Sequence, residues 1–157
     1  MAMAVPVSQR LSVLIAALWW GGITALSFLA VPVLFASLGS PAMAGPVAAK
    51  LFSLQCYAGL LLGLALLVSL RQGRDNGRAP DGATMTTLGV VLFAMLLALM
   101  QEFGVAQKIV TARASGGNLA LWHGVGTAMV LGQWLCAGAV LWRLSAGSPV
   151  RNETRSD

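Results

Sequence analysis

Residues 11–38 read LSVLIAALWWGGITALSFLAVPVLFASL, an unbroken run without a charged side chain. A helix that crosses a bilayer needs about 20 mainly apolar residues, so this stretch alone puts the chain in lipid. Arg10 before it and Ala42-Met43-Ala44 after it imitate a secretory leader and its cleavage site. The apolar core is roughly twice the 7–15 residues of a leader, and it is read as a permanent helix. Pro32 cannot donate the helical hydrogen bond its position requires, which predicts a kink nearby.

Three further stretches meet the same length: about 51–70, 85–108 and 119–144. Of the 157 residues, 57% are hydrophobic and 10% charged, against about 45–50% and 25% in a soluble domain. With a mean hydropathy of +0.79 and 18 glycines, the composition is that of apolar helices packed in a membrane. The expectation is an all-α integral membrane bundle of four transmembrane helices in one domain, residues 1–157, with no soluble domain left over. A polar tail at 147–157 is read as flexible.

The net charge is +5, but the basic residues are spread between apolar runs without interleaved aromatics, which excludes a nucleic-acid surface. Arg10, Arg71, Arg74, Arg78, Arg143, Arg151 and Arg155 fall on one side of the four-helix plan, and Lys50, Lys108 and Arg113 on the other. The positive-inside rule then places both termini and the 71–84 loop in the cytoplasm of a bacterial inner (plasma) membrane. Anionic lipid head groups are the expected contacts of the cytoplasmic arginines.

Membrane helices associate through close packing of small residues and a few polar contacts. The small-residue stripes are Ala17/Gly21/Ala25, Gly59/Gly63, Ala94/Ala98 and Gly124/Ala128/Gly132/Cys136, so Gly21, Gly59, Gly63, Gly124 and Gly132 are the candidate packing positions. Extending the stripes one turn reaches Gln55 and Glu102, and His123 adjoins Gly124. Counted along the helical rise, the three lie on the order of 6 Å inside the outer interface and define a candidate polar pocket. A titratable group inside a span is a functional hypothesis by default, because burying it costs about 2.5–3.5 kcal/mol even on the lenient insertion scale. The structural alternative is that a Glu102–His123 hydrogen bond simply fastens the third and fourth helices.

Other chemistry is sparse. No GxSxG is present, and Cys56 with His123 is the sole pair from which a catalytic dyad could be assembled, so an enzyme is the less favoured class. Cys56 and Cys136 lie near opposite ends of their helices, roughly 18 Å apart along the normal, too far for a disulfide. Cys56, Met100 and His123 share the outer layer and are candidate soft-metal ligands for Cu(I). Met100 and Glu102, however, stand about 200° apart on their helix and cannot both face inward. One histidine cannot supply two axial imidazoles, so haem would need a methionine opposite. No cofactor is predicted, with copper or haem as the alternatives these residues leave open.

Trp20-Gly21-Gly22, then Val31-Pro32-Val33-Leu34-Phe35, then the run from Ala44 to Phe52 (AGPVAAKLF), and finally His123 opening the last helix resemble the bacterial four-helix membrane proteins related to eukaryotic transmembrane protein 205, a domain of unknown function. The first helix is also distantly similar to membrane domains of the copper-resistance D type. The resemblance implies the four-helix fold and carries no reaction. Two functions remain open from the sequence: a small transport or tolerance factor handling a cation, metal or small solute at an outward-facing pocket, and a non-catalytic structural or accessory subunit, alone, as a homo-oligomer or with a membrane-complex partner. The topology is directly testable. A single cysteine placed in the 71–83 loop should resist impermeant thiol reagents in intact cells and react after lysis; ready labelling in intact cells inverts the orientation.

Overall fold

The computed structural model describes residues 7–72 and 81–146. Arg74, Arg78, most of the 71–84 loop and the 147–157 tail with Arg151 and Arg155 lie outside the described residues. Every element within them is helical. Four helices are long and apolar enough to span a membrane: α1 (Val7–Leu38), α2 (Pro41–Arg71), α3 (Gly82–Ser115) and α4 (Leu119–Ser145), of 32, 31, 34 and 27 residues. At 1.5 Å per residue these are about 40–50 Å long, so they tilt or carry their ends beyond a hydrocarbon core of about 30 Å.

The helices form an antiparallel ring in which α1 packs on α2, α2 on α3, α3 on α4 and α4 back on α1. The two ends of the ring differ in their connections. At one end α1 stops at Gly39, whose φ of 63° is the left-handed conformation a side chain would resist. Ser40 starts α2 at once, its hydroxyl accepting from the Ala42 amide. The same end holds Gly116 (φ 76°) and Asn118, whose side chain caps α4 by accepting from the Leu121 amide at 3.0 Å. At the other end Asp81 caps α3 through the Thr84 amide at 3.1 Å, and the described ends of α1 and α4 lie alongside.

α2 begins ten residues before the expected 51, since Pro41 occupies the first helical turn, where a missing N–H is harmless, and the helix continues through Pro46. The Ala-Gly-Pro composition that suggested a loop costs one interior hydrogen bond and no more. The irregularity expected near Pro32 is displaced toward the N-terminus. α1 is α-helical over Val7–Thr24, adopts a π turn at Ala25–Ala30 and resumes at Val31–Leu38. The cause is local: the Pro32 ring has no proton for the Phe28 carbonyl and crowds it. Widening the preceding turn, with the Val31 amide bonding Leu26 O five residues back, relieves both. α3 carries a second π turn at Gln101–Val105.

The interior is built around Trp19, 3% exposed, with Ala16 and Ile23 of α1, Leu66 of α2, Val91 and Ala94 of α3, and Val130, Ala137 and Val140 of α4. The Trp19 indole lies against Gly59 and Gly63 of α2, and Gly63 also faces Met95 of α3; Leu97 lies against Gly132. Trp20 stacks on Trp134 with ring centroids 5.7 Å apart, meets Phe28 through the same Trp134, and covers Gly138. Gly21 and Gly124 were expected in the seam, but neither would bring an added methyl group within 4 Å of a neighbour. The buried face of α4 runs through Val130, Gln133, Ala137 and Val140, rotated about one residue from the Gly124/Ala128/Gly132/Cys136 stripe. Gly132 and Cys136 therefore sit half-buried at its edge.

These contacts sort the glycines. A methyl at Gly138 would approach the rigid Trp20 indole nitrogen to 2.9 Å. Gly138→Ala is expected to lower the stability of the detergent-solubilised bundle by about 1–3 kcal/mol, the usual cost of overpacking. Gly124→Ala, facing open space, should be neutral or stabilise by up to about 1 kcal/mol through helix propensity. Equal effects at the two positions in denaturant titrations contradict this packing.

Candidate functional site

Side chains in a hydrocarbon medium must find hydrogen-bond partners within the protein, and here they gather at two levels. Near the end that holds the described termini, Ser12 of α1 and Ser69 of α2 share a buried hydrogen bond of 2.8 Å. Arg143 of α4 donates from Nε to Thr87 Oγ1 at 3.1 Å and from Nη2 to Ala83 O at 3.0 Å on α3. Arg143, expected as a topology and lipid-contact residue, thus also ties α4 to α3.

The second level lies at the two π turns, across the apolar interior from the first. The Ser53 hydroxyl of α2 donates to Glu102 Oε1 of α3 at 2.7 Å. Three residues along the same face, Cys56 Sγ donates to Ala98 O of α3 at 3.4 Å. Gln133 Nε2 of α4 donates to Gln101 Oε1 of α3 at 2.6 Å. The Trp134 indole donates to Thr24 Oγ1 of α1 at 2.9 Å, and that hydroxyl donates in turn to Trp20 O. Consecutive residues on one π turn, Gln101 and Glu102, thereby bond to opposite neighbours of α3. Two oxygens at this level are buried without a hydrogen-bond partner: Ser27 Oγ, inside the π turn of α1, and Gln55 Oε1 on α2.

Of the three residues expected to form the pocket, Gln55 and Glu102 lie in this layer and His123 does not join them. His123 is exposed near the start of α4, where its carbonyl accepts from Thr127 Oγ1, and the Glu102 carboxylate, its partner in the fastening alternative, accepts from Ser53. The physical reason is axial as well as angular: the level of Gln101 is met on α4 by Gln133, ten residues or about 15 Å of helical rise beyond His123, and the inward face of α4 runs through Gln133 rather than through the small-residue stripe. The soft-metal candidates are likewise separated. Cys56 is buried against α3, Met100 is 50% exposed, and His123 faces outward. Among the described residues no three His, Cys, Asp or Glu side chains come together.

Ser53, Gln101, Gln133, Thr24 and Ser27 escaped sequence reasoning. Gln133 had a usable signal, since it shares a face with Val130 and Ala137 at helical spacing. The face beyond the layer is cationic: Lys50, Lys108 and Arg113 are exposed, with the Lys108 ammonium 6.0 Å from the Trp122 ring and the Arg113 guanidinium against Gly45. Opposite it, near the first level, an apolar groove between α1 and α2 is floored by Ser69 and walled by Leu11, Ile15, Leu61 and Leu64.

Residues 14–118 match the model of a family described as a domain of unknown function (DUF4149). No curated protein and no solved structure matches the chain.

The polar layer predicts a non-additive pair. Gln133→Leu leaves the half-buried Gln101 without its partner and should cost about 1 kcal/mol. The double variant Gln101→Leu/Gln133→Leu should recover most of that loss. A double-mutant cycle in thermal unfolding that gives additive costs excludes the pairing as a stabilising contact.

Proposed function

The chain belongs to the DUF4149 family, and for this multi-pass membrane protein we propose a binding role: a small cation or polar solute is held at the Glu102 layer, reached from the face opposite the termini. A single observation carries it. Glu102 is the one acidic side chain of the described residues that lies inside a span, half-buried and held by a single hydrogen bond from Ser53, while Gln55 Oε1, at the same level of α2, is buried with none. A carboxylate is costly at such depth, and one needed solely to fasten α2 to α3 could be replaced by a neutral amide without loss.

The apolar interior favours binding over passage. Between the two polar levels stand Trp19, Ile23, Leu66, Val91 and Ala94, each no more than 3% exposed. From Ser12 to Thr24 they separate the levels by about 18 Å of helix, with no polar side chain bonded across the gap. In this conformation the layer is one-sided. Transport or solute tolerance would need a second conformation that opens this plug. The placement is completed by two further proposals: both termini are cytoplasmic in a bacterial inner membrane, with anionic lipids at Arg10 and Arg71, and the finer kinship is with the bacterial relatives of eukaryotic transmembrane protein 205.

The competing assignment, a structural or accessory subunit, draws on the Gln101–Gln133 and Trp134–Thr24 bonds, which fasten two of the four helix pairs at this level. Solvent access separates the two. In a background of Cys56→Ala and Cys136→Ala, Glu102→Cys and Gln55→Cys should react with a small charged thiol reagent, whereas Ala94→Cys in the plug should not. Silence at both layer positions closes the site and leaves fastening as its role.

A further inference from the structure

The groove between α1 and α2 lies away from the Glu102 layer. It encloses about 420 Å³ and opens toward lipid along the seam of two neighbouring helices. Its shape follows from side-chain size. Ser8, Ala65 and Ser69 are small and leave the space, while Leu11, Ile15, Leu61 and Leu64 rise on either side of it. The Ser12–Ser69 hydrogen bond of 2.8 Å holds the two backbones close behind the opening. A recess with aliphatic walls gains nothing from water, so in a bilayer the material that fills it is apolar.

The groove changes character along its length. On α2 its lining runs from Leu61 to Ser69, about 12 Å of helical rise, which fits within the half of the hydrocarbon core, about 15 Å, that belongs to one leaflet. Polar groups stand at one end only: Ser8 and Ser69 lie toward the end that holds the described termini, and the rest of the lining is aliphatic. Past that end come two exposed cations, Arg10 and Arg71. Arg71 follows Leu64 and Val68 at helical spacing and so continues one wall; Arg10 directly precedes Leu11. Ser12 is bonded to Ser69 and the helices are antiparallel, so Arg10 and Arg71, each two residues nearer the end, stand level with each other. Aliphatic walls, a hydroxyl-bearing end and a pair of cations, in that order, match the acyl chain, ester and phosphate of an anionic phospholipid. A second copy of the chain is opposed by the same charges. A two-fold contact about an axis normal to the membrane repeats each patch at one depth, which would set the guanidinium groups of both copies against each other. We propose that the α1–α2 groove binds one anionic phospholipid, with an acyl chain lying between the α1 and α2 walls and its phosphate held by Arg10 and Arg71. This deepens the lipid contact assigned above to the two arginines and rests on it; it is independent of the Glu102 layer.

The test uses the full chain in mild detergent, titrated with phosphatidylglycerol or phosphatidylcholine of identical acyl chains and read by native mass spectrometry. The protein should retain one phosphatidylglycerol per chain and hold it at least about tenfold more tightly than phosphatidylcholine. Arg10→Gln and Arg71→Gln should each weaken that retention about fivefold. Ala65→Phe fills the groove and leaves both arginines in place; it should weaken retention at least about tenfold by displacing the acyl chain. Val68→Trp repeats this at a lining position that is 45% exposed, where a larger side chain leaves the interior of the bundle untouched. Equal retention of the two lipids overturns both the groove site and the arginine contact. Weakening by the arginine variants but by neither Ala65→Phe nor Val68→Trp overturns the groove site and leaves the arginine contact standing. A lipid-free dimer that Val68→Trp dissociates gives the groove to a second copy and overturns the proposal as well.

Discussion

A chain in lipid has no water to complete its hydrogen bonds, and this constraint organises the bundle more than any single contact. Between hydrocarbon and a leucine side chain there is little to choose, so apolar burial does not hold the four helices together as it would in water. Association falls to close packing, concentrated where Trp19 lies on Gly59 and Gly63 and Trp20 on Gly138, and to two tiers of polar contacts. The tiers stand either side of the aromatic and aliphatic interior, so neither weakens the packing between them.

The π turns belong to the same logic. A wider turn alters which side chains face inward beyond it, and in α3 it lets adjacent glutamine and glutamate side chains satisfy different neighbours. In α1 the cause is written in the covalent structure, since Pro32 imposes it. In α3 no proline lies in the helix, although Gly104 sits inside the turn. Its support comes from the bonds that Gln101 and Glu102 make to α4 and α2, a tertiary cause that acts on local geometry. π turns recur at functional sites for this reason: the backbone accepts a less favourable turn where side chains are needed in positions the α-helix does not offer.

The spans were legible because length and apolarity suffice to define them, and Glu102 and Gln55 because polar residues are scarce in those spans. The packing stripes failed on angular register, and His123 failed on depth, since α4 meets the level of Gln101 ten residues later, at Gln133. Stripes counted at four-residue intervals assume an uninterrupted α-helix and an inward-facing small residue; α1 and α3 break the first assumption, and α4 the second. Ala and Gly are so abundant that the exposed Gly124 and Ala128 looked like a seam, while Gln133 on the true buried face was passed over. A glutamine inside an apolar helix is a better guide to the interior than a glycine, since glycine tolerates lipid and an unpaired amide does not. The length of α2 was missed because proline in a first turn reads as loop in the sequence yet starts a helix in space.

The adjacency of Gln101 and Glu102 has a mechanical consequence. The two side chains ride on one backbone turn, so that turn behaves as a gear tooth meshed with two wheels. Any displacement that draws Glu102 along α2 also turns Gln101 against α4, and the α2–α3 and α3–α4 seams cannot slip independently. A perturbation entering at one seam is thereby delivered to the next seam of the ring without crossing its centre.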